Sequence, residues 1–270
     1  LEDISGGTLE TQNGFHIDSS GGITVNSGGT LIAGGAVMVQ TSGSSLTVSG
    51  GGTLSAATIS TENGGEISMS GGVIQAAGDI AIRHALTNAY GNVSAGGTLT
   101  VGGGATQPGS SEQLNLSAGR DIHISGAATV TSLSAGENIS AGGQAVSATN
   151  ISAGGAIAAG SITAANVSAG GNISASANIS ADSISAGGTL SAGGNLTAGT
   201  LALSAVPASG AAVSAAGDVK ITNLNVSSFN PAQNTNGSLI SAGGTVSAMT
   251  VNGKPLTAGG AITTNANQVS

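Results

Sequence analysis

Large aliphatic residues recur along this chain at intervals of five or six. From Val167 they run Val167, Ile173, Ile179, Ile184, Leu190, Leu196 and Leu201. Around each anchor the alternation is two: in Ile173-Ser174-Ala175 the Ile and Ala point one way and the Ser the other. That is the period of a strand, not of a helix. A longer repeat lies over the short one. It reads Ile151-Ser152-Ala153-Gly154-Gly155-Ala156-Ile157, then Val167-Ser168-Ala169-Gly170-Gly171-Asn172-Ile173, and returns at Ile184–Leu190 and Ile240–Val246. Its starts fall at Leu116, Leu133, Ile151, Val167, Ile184 and Leu201, a step of about 17 residues that varies by one either way.

Three short strands per step, separated by Gly or Asn corners, predict an all-β fold: a three-sided, single-stranded parallel β-solenoid with about 16–18 residues per coil. Seventeen residues at about 3.3 Å each give a perimeter of roughly 55 Å and sides under about 20 Å. A coil of this length predicts a right-handed turn. One coil cannot bury its own apolar face, so each covers its neighbours. About fifteen coils of roughly 4.8 Å would make a rod on the order of 70 Å long.

The corners make chemical sense on this reading. Gly reaches positive φ without steric cost, and Asn tolerates it better than most residues. Asn172, Asn178 and Asn195 stand just before strands, where the amide can bond backbone or stack on an Asn one coil away. The Asn-aliphatic-Ser/Thr triplets at Asn138, Asn150, Asn166, Asn172, Asn178 and Asn195 match the glycosylation sequon, which reads here as a by-product of the repeat.

The whole chain reads as one solenoid domain, residues 1–270. Residues 1–90 carry looser coils rich in Thr, Val and Gly, and 91–270 the regular Ser-Ala-Gly-Gly coils. Three stretches break the period and are expected to project as loops: His84–Asn92, Gly102–Gln113 and Ser227–Ser238. Loops on a rigid scaffold are where binding residues concentrate, so His84, Tyr90, Pro108, Phe229 and Pro231 are the candidate partner contacts.

Composition narrows the function. Of 270 residues 48 are Gly, 6% are charged, 1% are aromatic and none is Cys. The fixed aliphatic period argues against the disorder such a composition otherwise suggests. The net charge is −8, with four basic residues, Arg83, Arg120, Lys220 and Lys254, too few for a nucleic-acid surface. No apolar run is long enough to span a membrane as a helix, and no signal peptide opens at Leu1.

Candidate chemistry is sparse. Asp79, Asp121 and Asp218 share the context Gly/Arg-Asp-Ile/Val but fall on different coils, so they read as corner caps for backbone N–H groups rather than as metal ligands or catalytic acids. His16, His84 and His123 pair with no nucleophile or ligand pattern. Hexapeptide-repeat acyltransferases keep a stricter coil than this one. Solenoid lyases need Asp, Arg and Lys clustered on one face. An ice-binding face needs ranks of Thr where this chain has mostly Ser. The expectation is a protein that is not an enzyme, with no cofactor and no metal.

The run Leu114-Asn115-Leu116-Ser117-Ala118-Gly119-Arg120-Asp121-Ile122-His123-Ile124, with Ser-Gly-Gly-Thr-Leu at Ser5–Leu9 and Ser27–Leu31, carries a resemblance. Over nearly its whole length the chain resembles the secreted β-helical exoproteins of bacteria, the filamentous-haemagglutinin-like adhesins and autotransporter passengers. That resemblance implies a right-handed β-helix, export to the cell surface and a stalk or adhesive role.

Neither terminal stretch reads as an amphipathic helix or a charged cap, so end-to-end stacking of copies is expected, the alternative being that the chain is a segment of a longer solenoid. The candidate contacts are Ile4, Leu9, Ile262 and Val269. The expected partners are the chain itself, as a head-to-tail homopolymer, or cell-surface and matrix components.

Overall fold

A computed structural model of the chain describes residues 2–17, 21–204, 209–226, 236–251, 254–255 and 262–264. These residues contain strands, turns and bends and no helix, and they wind into about 11 turns of parallel β-solenoid with strands in two sheets. The chain divides into two compact units, Leu1–Gly142 and Gly143–Ser270.

The first unit opens with three strands per coil. Glu2–Ser5, Gly22–Asn26 and Ser45–Ser49 stack as a first face. Thr8–Thr11, Thr30–Ala33 and Thr53–Ala56 form a second. Phe15–Ile17, Ala36–Val39 and Thr58–Thr61 form a third. From the fourth coil the first two faces run on in one strand, Glu66–Ala76, whose first half lies on Ser45–Ser49 and whose second half lies on Thr53–Ala56. Three strand segments per coil thus become two sheets.

The core is a set of ladders one residue wide. On the second face Leu9, Leu31, Leu54, Ile74, Val93, Leu116 and Leu133 stack in turn. All but Leu9 are buried. Each buried aliphatic side chain contributes about 1.5–3 kcal/mol. The backbone bonds that hold the ladder run along the solenoid axis, from coil to coil.

Coil length is less uniform than the aliphatic period predicts. In this unit Asp121 bonds Asn138, 17 residues on, but Asn92 bonds Asn115, 23 residues on. The extra residues sit in the corners. Ser49-Gly50-Gly51-Gly52 closes with the Gly52 N–H donated to the Ser49 carbonyl at 2.8 Å, and Gly50 and Gly51 have φ of +53° and +81°. Two successive positive φ angles make this a tight turn of the hairpin type, for which Gly is the natural residue. Longer corners lower the number of turns that a given length of the described chain can form.

The second unit repeats the arrangement with fused strands. Ser161–Ala169, Ile179–Ala186 and Leu196–Leu203 each carry two faces, and Ile157–Ala159, Ile173–Ala175 and Leu190–Ala192 carry the third. In Ile179–Ala186 the buried positions are Ile179, Ala181, Ile184 and Ala186. The spacing of three between Ala181 and Ile184 marks the corner, and the pairing with Ser161–Ala169 passes over Asp182 there. The coil length is again read from bonded corner residues. The separation is 16 from Asn150 to Asn166 and 17 from Asn178 to Asn195, then 23 from Asn195 to Asp218 and 27 from Asp218 to Thr245.

Candidate functional site

The acidic corner residues are structural. Asp79 Oδ1 accepts the Thr98 N–H at 2.7 Å, Asp121 Oδ1 that of Asn138 at 3.0 Å, and Asp218 Oδ1 that of Thr245 at 2.8 Å. Each caps the backbone one coil on, as their sequence context predicts. The Asn residues before strands do the same: Asn172 accepts from Thr189, Asn178 from Asn195, and Asn195 from Asp218, each at 2.8 Å. Amides also stack directly, with Asn115 Nδ2 donating to Asn92 Oδ1 at 3.0 Å and Asn166 Nδ2 to Asn150 Oδ1 at 2.9 Å. The Asn138 side chain, and then its backbone N–H, hold the Asp121 carboxyl below the ordinary carboxylate value. Among the described residues no three His, Asp or Glu side chains come together as metal ligands.

The glycines of the Ser-Ala-Gly-Gly array lie at bends and turns, as expected, but only some need a positive φ, as Gly142 and Gly143 do at +56° and +81°. Gly187 and Gly188 are not among the positive-φ residues. A Cβ on Gly187 would run into the carbonyl oxygen of Gly170 in the preceding coil, and one on Gly188 into the Oδ1 of Asn172. Both are Gly because backbones and caps of neighbouring coils approach too closely for a side chain.

One place in the first unit departs from regular stacking. The first half of Glu66–Ala76 lies on Ser45–Ser49, but the next coil brings no strand to its other edge. Residues 83–89 take that place without forming one. Asn88 there has φ of +50°. Leu86 turns inward and is buried, so this stretch does not project as a free loop. It bonds onward instead: the Leu86 N–H goes to the Gly104 carbonyl at 2.9 Å, and that of Ala89 to the Thr106 carbonyl at 3.0 Å. A notch of about 210 Å³ remains between the two coils, lined by Glu66, Ser68, Met69, His84 and Thr87 among others.

Two of the five candidate contact residues, His84 and Tyr90, border this interrupted face. His84 lines the notch and is exposed. Tyr90 begins the strand Tyr90–Ala95, and its ring lies on Gly71, where a Cβ would come within 2.7 Å of Tyr90 Cε2. Pro108 belongs to the exposed loop that follows Ala105–Thr106. Gln107 pins that loop: its Nε2 donates to the Gly109 carbonyl at 3.0 Å, and its Oε1 accepts from Leu114 N–H at 3.4 Å and Thr131 Oγ1 at 2.9 Å. Phe229 and Pro231 lie outside the described residues, as does Val269.

Of the candidate end contacts, Ile4 pairs with Val25 and is half-buried, and Leu9 is 39% exposed where its ladder partner Leu31 is buried. A shallow depression of about 430 Å³ runs along Asp3–Leu9. Ile262 starts the strand Ile262–Thr264, paired with Ile240.

The sequence reading missed Glu66, Ser68 and Thr87. The broken period around His84 signalled an irregular coil. Only the pairing of coils shows that Glu66–Met69 is the strand left open beside it.

The fold defines the class of protein as a parallel β-solenoid, which is compatible with a β-helical exoprotein. No family model matches the chain, and no curated protein or solved structure matches it. No helix among the described residues is long and apolar enough to cross a membrane.

Proposed function

We propose that the chain is a non-catalytic structural protein of the bacterial cell exterior, a fibre or stalk of the kind found in the haemagglutinin-like and autotransporter exoproteins it resembles. The observation that carries this reading is the in-register sameness of successive coils. Ile162, Ile179 and Leu196 stack inward while Thr163, Ser180 and Thr197 stack outward on the same strands. Such an exterior offers hydroxyl groups and few charges, while the interior supplies continuous ladders. That suits a load-bearing element whose length is set by coil number.

Copies stack end to end on this reading. A further coil from another copy, laid on Glu2–Ser5 and Thr8–Thr11, would cover Leu9 as Thr30–Ala33 is covered within the chain. The test is electron microscopy of the purified chain over a concentration series. Uniform filaments that lengthen with concentration support stacking; isolated particles at every concentration exclude the self-assembling subunit.

A second reading is an adhesin. The Gln107-pinned loop favours it, because a rigid exposed loop loses little entropy on binding. Attachment to cells that survives deletion of both Pro108–Ser111 and residues 227–235 would exclude contact through these two segments.

A further inference from the structure

We propose that the notch between Glu66–Met69 and His84–Ala89 binds a single neutral sugar ring, such as the terminal residue of a glycan. The inference goes beyond the scaffold role and stands whether or not copies stack.

The backbone provides the first half of the site. The Glu66 N–H is donated to the Ser44 carbonyl at 3.0 Å, on the side of Ser45–Ser49. In a parallel ladder alternate residues direct their N–H and C=O to opposite edges. Ile67 and Met69 therefore present theirs to the notch. Across it, Leu86 and Ala89 spend their N–H groups on Gly104 and Thr106, and the Leu86 carbonyl accepts from the Thr106 N–H at 2.8 Å, all away from the notch. Ser45–Ser49, by contrast, is paired on both edges, by Gly22–Asn26 and by Glu66–Ser70. Backbone groups at such a break take partners from water or from a ligand.

The side chains provide the second half. Glu66, Ser68, His84 and Thr87 are all exposed around the opening. Glu66 takes part in no ion pair among the described residues, whereas nearby Arg83 is held by Glu62 at 3.6 Å. The opening thus offers one carboxylate acceptor, an imidazole, two hydroxyls and the free backbone groups of one strand edge. A ligand that fits must donate and accept at several closely spaced points, and it must not be anionic. Vicinal hydroxyls on one ring do both.

Size decides between one ring and something longer. The 210 Å³ notch exceeds the ~150 Å³ that holds a benzene-sized ligand. It falls below the roughly 300 Å³ at which sites for larger molecules begin. A single ring fills the notch, and a longer ligand would extend past its ends.

The experiment is saturation-transfer NMR on the full chain with methyl β-glucoside and methyl β-galactoside. Glucosamine and tetraglycine are run as rivals. Saturation transfer to at least one neutral glycoside is expected. It should weaken about tenfold in affinity in a Glu66→Ala/His84→Ala double variant, with Lys220→Ala unchanged. Both altered side chains are exposed, so the circular-dichroism spectrum should be retained. If the double variant nonetheless misfolds, Thr87→Val is read instead and should weaken binding in the same sense. No transfer to either neutral glycoside overturns the proposal. So does binding of glucosamine alone, which would make the notch a cation site, or displacement of the glycoside by tetraglycine, which would make it a strand-addition edge. Unchanged binding in the folded double variant would place the sugar elsewhere on the chain and overturn it too.

Discussion

The side-chain oxygen of Asn178 accepts the backbone N–H of Asn195, 17 residues further along, at 2.8 Å. Asn195 makes the same bond to Asp218 across 23 residues, and Asp218 makes it to Thr245 across 27. The bond is indifferent to the length of chain between its partners, so it is set by coil stacking and not by local sequence. At the end of the series Thr245 adds its hydroxyl, which donates to Asp218 Oδ1 at 3.0 Å. Each link resembles a helix N-cap, where a short polar side chain satisfies an N–H that would otherwise lack a partner. Asn195→Ala should therefore cost about 1 kcal/mol, within roughly 0.5–2. Asn195→Asp should cost only a few tenths, since Asp218 performs the same task. Urea denaturation of the two variants checks this. Equal stability of Asn195→Ala and the parent chain would mean that water replaces the cap without loss.

Adjacent glycines in one motif should respond differently to the same substitution. An added Cβ at Gly187 meets the Gly170 carbonyl, which is backbone in the middle of a stack and has nowhere to go. At Gly188 it meets the Asn172 carboxamide, a side chain that can rotate away. Gly187→Ala should destabilise by about 1–3 kcal/mol, the usual range for overpacking. Gly188→Ala should cost about 1 kcal/mol, the worth of the displaced bond. Thermal melts of the two variants give the order, and a reversed order would show that the coils part more readily than their caps rotate.

Much of this architecture was legible in the sequence, for a physical reason. The in-out-in triplet of Ile173-Ser174-Ala175 needs only the strand period, and each coil repeats it on every side. The capping role of Asp79, Asp121 and Asp218 also followed from residue type and place. Properties that depend on the neighbouring coil were not legible. Turns such as Ser49–Gly52 lengthen a coil without disturbing its ladder, so aliphatic spacing in the regular array misjudged the coils of the first unit. Gly187 lies at a bend, as the Gly-Gly pairs predict, but the close approach that requires Gly there was not legible, because the Gly170 carbonyl beneath it belongs to a different coil. The notch escaped for the same reason, since Glu66 and His84 meet only through the stacking of one coil on the next.

The Asp121 carboxyl should make part of the stability depend on acid. Bonds from Asn138 favour its charged form, so its folded value lies below the unfolded one. The stabilisation is then complete above the unfolded value, about 4, and is lost as pH falls through the folded value. Asp121→Asn keeps an oxygen to accept the Asn138 N–H, as Asn172 does for Thr189, but cannot titrate. The variant should match the parent near neutral pH and lose less stability as pH falls below about 4. Melting curves across that window check it. Parallel acid profiles would move the titrating group elsewhere in the chain.

The two ends of the burial scale test the ladder and the proposed assembly together. Leu201 is buried between Ile184 and Leu224, and the backbone ladders on either side prevent those coils from closing on a void. Leu201→Ala should therefore cost about 2–5 kcal/mol, because little of the cavity can collapse. Among the described residues Leu9 stacks on Leu31 alone, and it is already 39% exposed, so Leu9→Ala should cost well under that. Leu9→Asp puts a carboxylate where a second copy would lay its aliphatic row, and burying an unpaired charge there is strongly unfavourable. It should leave the circular-dichroism spectrum unaltered while abolishing concentration-dependent filaments. Filaments that persist in Leu9→Asp would remove this edge from the assembly contact, whatever their length.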